Sequence, residues 1–487
     1  MKKNEQLFYL IKSMSKSEKR HFKVLAKAED NNKNYILLFD EIEGQAFYNE
    51  KVIKEKFSNS VFVNQLHVTK NYLSNQILRS LKIYHSKSSV NIKLHNYLIE
   101  VEMLFKRELF EQSLDAIKRV EKLATEYEKF SILYEVLNWK RKILLAQGRF
   151  DSIQLKFGEL LFSQKLYLEK IKNQNEYWFI TSKLYDIFNA DKKERQKFIK
   201  NEYLKNLEFA DSLQSKILFY HIHYTLSTTD NKINKALKYV SELIQLLEKF
   251  PNQISEEPNS YITSLNNKIS LLLSIKQYDK IPLLLKTVRD VPIQYKIKER
   301  KKISAKLMLR TYNVELEMYR DLRDFKKAES LIEEIQIFIE VNKNLVTNNY
   351  KTLFFYQFAY IFFMRNKLSE ALHYTNELLT GNISGVREDL KSYIRFLNLM
   401  IHFELENTIV LKYAVDASRR FLKKKRNLYD FEKVLLKFFS KISLARKQEH
   451  KKLFTELNKN LFAKTDKRKK ADVLDYIDFD SWVKSKL

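Results

Sequence analysis

Residues 1–250 contain no proline, and the whole 487-residue chain holds only 5 glycines and 4 prolines. These two residues interrupt helices most often, proline by strain and a missing N–H, glycine by its backbone freedom. A chain nearly without them, yet 45% hydrophobic, is constrained to long helices joined by short polar turns. Its length far exceeds what one compact core needs, so several domains or an elongated stack of helices is expected. The expected fold class is all-α.

The absence of cysteine excludes disulfides, thiolate metal ligands and cysteine nucleophiles. The first apolar run, Leu7 to Ile11, is too short for a signal-peptide core. The densest apolar stretch, Leu353 to Met364, is bounded by Lys351 and Arg365 and falls short of a membrane span. A cytoplasmic location with no membrane partner is expected.

The formal net charge is +28, and its distribution matters more than its total. Residues 412–470 hold 20 Lys/Arg against 6 Asp/Glu, about half of the excess. The last residues reverse sign through Asp472, Asp475, Asp478 and Asp480, so an acidic tail is expected to fold back on the basic segment, with Trp482 as the anchor either of the tail or of a partner.

Residues 1–90 read as a small helical N-terminal head. A helix opens at Ser15 with Glu18 in capping-box spacing, and Gly44 closes the helix that follows. In the last helix of the head, Phe62, Leu66, Leu73, Ile77 and Leu81 fall at helical intervals, leaving Lys70, Asn71, Asn75 and Arg79 on the polar face.

Beyond the head a pattern recurs: a large residue after a polar joint, then a smaller or aliphatic one three positions later. The pairs are Phe110 with Ser113, Phe150 with Ile153, Ile233 with Ala236, Tyr278 with Ile281, Phe325 with Ala328, and Leu368 with Ala371. Their spacings are 40, 83, 45, 47 and 43 residues, so one degenerate repeat is expected near residue 190. Two residues before each large side chain stand Glu108, Gly148, Asn231, Lys276, Arg323 and Asn366. Gly and Asn tolerate the left-handed conformation that ends a helix, so these joints read as helix stops. The large residue would wedge between helices while the smaller one lets the next helix approach.

At Gly148 to Ile153, Arg323 to Ala328 and Asn366 to Ala371 the chain resembles the tetratricopeptide-repeat superfamily. The repeats here are longer and irregular, and only Ala359 supplies the usual small residue nine positions before the wedge. The resemblance implies a right-handed solenoid of degenerate helix pairs. The ends, Ser15 to Lys23 and Phe479 to Lys486, also resemble an uncharacterised group of bacterial repeat proteins, which brings no activity. The expected organisation is a head (1–90), repeats (91–411), a basic helical cap (412–470) and an acidic tail helix (471–487). A hinge or long loop is expected at 251–259, and Pro282 in the first turn of a helix.

No motif for chemistry emerges. The five glycines form no phosphate-binding loop, no Gly-x-Ser-x-Gly occurs, and His221 and His223 point to different helix faces. No catalytic residue, cofactor or metal is expected. The leading reading is a non-catalytic scaffold for a protein or peptide, with Tyr356 and Tyr360, which share a helix face, lining a groove. The aromatic run that carries them, apolar all round, reads first as core, and the groove is the sharper alternative. The alternative partner is nucleic acid, with the chain as a binding protein or a repeat-containing transcription regulator. Lys70, Asn71, Asn75 and Arg79 are its candidate contacts in the head, the Asn and Arg side chains having the geometry for base edges. Phosphates would meet Arg419, Arg420, Lys423, Lys424, Lys425 and Arg426, or Lys467, Arg468, Lys469 and Lys470. Phe421 and Tyr429 beside the first cluster are either core or stacking platforms.

Overall fold

The computed structural model describes residues 5–29, 34–86, 88–148, 153–189, 191–297, 300–381, 388–425, 428–463, 473–474 and 476–487. Among them every regular element is helical, as the scarcity of glycine and proline requires. The chain divides into two compact units, Met1–Ser264 and Leu265–Leu487.

Unit 1 opens with the head, whose own core includes Ile11, Phe22, Leu38, Phe39, Ile42, Leu73 and Ile77. The capping box forms as expected: the Ser15 amide donates to Glu18 Oε2 at 2.6 Å and the Glu18 amide to Ser15 Oγ at 3.3 Å. The helices Val90–Phe105, Phe110–Glu126 and Phe130–Ala146 follow, each packed on the next around a second core.

The turns between helices explain how this chain manages without glycine. Glu108, Asn231, Lys276, Arg323 and Asn366 all have φ between 56° and 59°, and Gly148 has 61°. All six joint positions are therefore left-handed, whatever their side chain. Glu128, Lys296 and Glu406 do the same at joints the repeat pattern does not contain. At each of the eight non-glycine positions the next amide reaches back five residues, as Leu109 N to Leu104 O (3.1 Å) and Lys367 N to Phe362 O (2.9 Å). This is the Schellman arrangement, and its hydrogen bonds hold the strained residue in place.

The residues three beyond the large ones sit where helices come closest: Ser113, Ala236, Ile281, Ala328 and Ala371 are all wholly buried. Ser113 Oγ donates to the Val101 carbonyl of the preceding helix at 3.1 Å. The large residues differ from expectation. Phe110, Ile233, Tyr278, Phe325 and Leu368 are only half-buried; Phe110, Phe325 and Leu368 pack against the margin of a core whose interior the smaller residue occupies. Phe150 lies outside the described residues.

Two expectations are corrected. The long interval around residue 190 holds the helix Ile153–Ser182, 30 residues long, followed by the short helices Leu184–Asn189 and Lys192–Ile199 and two single 3₁₀ turns, instead of another long helix pair. The polar stretch at 251–259 is no long loop. Pro251 begins a short helix to Glu256, with Ile254 buried. Its polar residues serve other helices: Glu256 Oε1 accepts from the Val90 amide at 2.7 Å and Asn252 donates to Glu126 at 2.7 Å. Pro282 does lie in the first turn of its helix, Ile281–Gln294.

Unit 2 holds one continuous core that runs from Leu309 to Val483. Its centre is the helix Asn348–Met364, apolar all round and covered on all sides, with Phe354, Tyr356, Phe358, Ala359 and Tyr360 buried.

Candidate functional site

Tyr356 and Tyr360 share a face, but that face is occupied by the chain itself. The Tyr356 hydroxyl donates to the Tyr476 carbonyl at 3.0 Å, and the Asp478 amide donates to the Tyr360 hydroxyl at 3.4 Å. Burial pushes both phenols up, so they remain neutral. The groove read from the sequence is therefore filled by the C-terminal segment and is not open to a partner. The tail folds back onto the segment 412–470 as expected, through Phe438, Phe439 and Phe454. Its Asp478 meets Arg323 at 2.6 Å, and Trp482 inserts among Phe403, Phe438, Phe439 and Phe454, its indole N–H donating to Glu404 at 2.7 Å. Trp482 is the anchor.

The polar face of the head helix Leu66–Tyr84 splits. Lys70 is engaged, donating to Glu50 Oε2 at 2.8 Å and to the Tyr48 hydroxyl at 2.7 Å. The bond from Lys70 to the carboxylate, followed by one from Lys54, holds the Glu50 carboxyl down to about 2. Asn71, Asn75 and Arg79 stand exposed on the same helix. Lys70 thus braces the head and is not available to a phosphate.

Of the basic segment, the side chains of Lys424 and Lys425, and all of Arg426, Lys467, Arg468, Lys469 and Lys470, lie outside the described residues. Arg419 and Lys423 fall one helical turn apart on the helix Thr408–Lys425, facing the next helix, Asp430–Ile442. That helix presents Lys433, Lys437 and Lys441 at every fourth position, so three ammonium groups form a row. The five cations line a groove of about 520 Å3 floored by Leu436, with Leu444 exposed at its edge. Arg419 bridges it, donating to Ser440 Oγ at 2.7 Å, and also meets Asp416 at 3.5 Å. Asp430 pairs with Lys433 at 2.9 Å and Glu456 with Lys441 at 3.0 Å, both from outside the groove. Lys423 and Lys437 are exposed and make no ion pair among the described residues. Arg420 is exposed on the outer face of its helix.

Phe421 is no stacking platform. It is half-buried beneath the Arg395 guanidinium, 3.8 Å from the ring centre, and Arg395 Nε has no hydrogen-bond partner among the described residues. Tyr429 is 42% exposed and lies parallel to Phe431 at 6.0 Å.

No family model, curated protein or solved structure matches the chain. Among the described residues no group of His, Cys, Asp or Glu is placed to hold a metal ion, and no helix is long and apolar enough to cross a membrane. Burial depresses the affinity of His221 and His223 for protons, and His223 Nε2 lies 3.0 Å from the Leu204 carbonyl, a structural role.

One surface has no counterpart in the sequence reading. The helix Ile153–Ser182 exposes Leu161, Phe162, Leu166, Leu168, Trp178 and Phe179, each at 50% or more. Leu161, Leu168 and Phe179 fall on one line along the helix, about 27 Å from end to end at 1.5 Å per residue. Helical spacing alone could not find it, since an uncovered apolar helix and a buried one read alike.

Proposed function

We propose that the chain is a non-catalytic, cytoplasmic helical-repeat solenoid, related in architecture to the tetratricopeptide-repeat superfamily, that binds a protein partner through the helix Ile153–Ser182. Successive helix packing and the recurring left-handed turns support the architecture. The observation that carries the function is the row of half-exposed large apolar side chains on that helix. Soluble proteins rarely leave such a row uncovered, and aromatic residues are enriched where partners dock. The partner is a protein segment with an apolar face of matching length, such as an amphipathic helix.

The test places a photo-crosslinking residue at Phe162 or at Phe179, with the exposed Lys249, at the end of the helix Ile233–Glu248, as control. The expected result is one discrete crosslinked protein from both apolar sites and none from the control. The complex should be lost in Leu161→Ser/Leu168→Ser, a variant whose helicity stays unchanged. Crosslinks only between copies of the chain, or identical products from all three sites, would overturn the reading.

A further inference from the structure

We infer that the groove between the helices Thr408–Lys425 and Asp430–Ile442 binds the phosphodiester backbone of a single-stranded nucleic acid. Five cations, Arg419, Lys423, Lys433, Lys437 and Lys441, line it, and among the described residues no carboxylate does. The acids nearby engage from outside: Asp416 meets Arg419, Asp430 meets Lys433 and Glu456 meets Lys441. Lys423 and Lys437 face each other's walls with no such partner among the described residues. Like charges gathered around an apolar floor repel one another, and a polyanion relieves that repulsion by displacing its own counterions.

The geometry favours one strand over two. Lys433, Lys437 and Lys441 rise about 6 Å from one to the next. That is close to the repeat between successive phosphates of an extended strand, so one lysine can meet each phosphate. Arg419 and Lys423 flank one side of the shallow groove and the row of lysines the other, so a single strand can lie between them. At one end Tyr429, the residue after Leu428 of the groove, offers a half-exposed ring on which a base can stack, the pairing of basic channel and aromatic platform that single strands use. A membrane surface or an acidic protein would use the charge but has no use for the ring.

The experiment measures binding of the full-length protein to fluorescein-labelled oligo-dT and oligo-U across a salt series. The comparison set is a hairpin duplex of equal charge, poly-glutamate, and phosphatidylserine/phosphatidylcholine vesicles. The two unpaired cations alone predict a slope of log K against log salt of about −1.4, and all five about −3.5 once phosphate displaces the three exposed carboxylates; Lys423→Gln/Lys437→Gln should flatten the slope by about 1.4. That variant should bind oligo-dT at least tenfold more weakly, and Tyr429→Ala should weaken oligonucleotides while leaving poly-glutamate unchanged. Lys301→Gln/Lys326→Gln removes the same charge elsewhere in the unit and should change little. The proposal is overturned by no oligonucleotide binding at low salt, by equal losses in both double variants, or by tighter binding of the duplex, poly-glutamate or vesicles than of single strands. Should the double variant lose its helicity, Lys437→Gln alone, an exposed and unpartnered site, gives the same reading with a loss of a few-fold.

Discussion

Arg323, one of the residues held in the left-handed conformation, reaches Asp478 with its guanidinium, 2.6 Å from Oδ2. The same carboxylate accepts from the Ser481 amide at 3.0 Å through its other oxygen and so caps the short helix Phe479–Lys484. The ion pair is exposed on the Arg323 side, so it contributes little by itself, whereas the cap is worth about 1 kcal/mol. Asp478→Asn should therefore be nearly neutral and Asp478→Ala should cost about 1 kcal/mol in urea denaturation. Equal costs for both would show that the charge pair, not the cap, carries the contact.

Trp482 is the stronger test of the tail. It is 7% exposed and touches four phenylalanines, so Trp482→Ala should cost about 3 to 5 kcal/mol. Near-ultraviolet circular dichroism should lose the signal of this aromatic cluster. An unchanged midpoint would mean that the tail is a loosely held ligand of the Tyr356–Tyr360 face.

The non-glycine turns carry strain that a substitution can release. Lys276 has φ 58°. Lys276→Gly should raise stability by about 1 kcal/mol, and Lys276→Val should lower it by about 1 to 3 kcal/mol. The sign difference between two substitutions of one exposed side chain isolates the backbone as the cause.

Packing at the hairpins makes a size prediction. Ala328 is wholly buried, while Phe325 three residues earlier is half-exposed and meets Tyr360 edge-on at 6.4 Å. Ala328→Leu should cost about 1 to 3 kcal/mol by overpacking. Phe325→Ala should cost about 1 to 2 kcal/mol, below the value for a fully buried ring. Calorimetry on the two variants settles their order.

Glu50 supplies a pH signature for the head. Its carboxyl is held down to about 2, from an ordinary value of 4.5, first by the hydrogen bond from Lys70 and next by that from Lys54, against the smaller opposing effect of burial. A depressed folded-state value means that the stabilisation is complete above the unfolded value and is lost as pH falls toward the folded one. The difference in melting midpoint between the native chain and Glu50→Gln should thus be constant near neutrality and close between about pH 4.5 and about pH 2. A gap that persists at the acid end would assign the difference to packing.

The helical class was written in what the chain lacks, glycine and proline, and the small-residue positions were written in their spacing. Ser113, Ala236, Ala328 and Ala371 all lie where helices meet. The left-handed residues could be placed only by that spacing, since Glu, Lys and Arg carry no local sign of positive φ; Glu128, Lys296 and Glu406 therefore went unseen. At the candidate sites, the charge count located the basic segment, but which lysines stand free depends on carboxylates from other helices. Lys70 is taken by Glu50 while Lys437 has no such partner among the described residues, a difference that only packing decides. Tyr356 and Tyr360 failed as an open groove for a similar reason: the segment that covers them arrives 120 and 118 residues later.

The hydrogen bond from the Val90 amide to Glu256 spans 166 residues. On a translating ribosome the helix Val90–Phe105 is made long before its distant acceptor exists. Its first amide stays in water until the chain has grown past Glu256, and completion of unit 1 thereby waits on the synthesis of nearly its whole length.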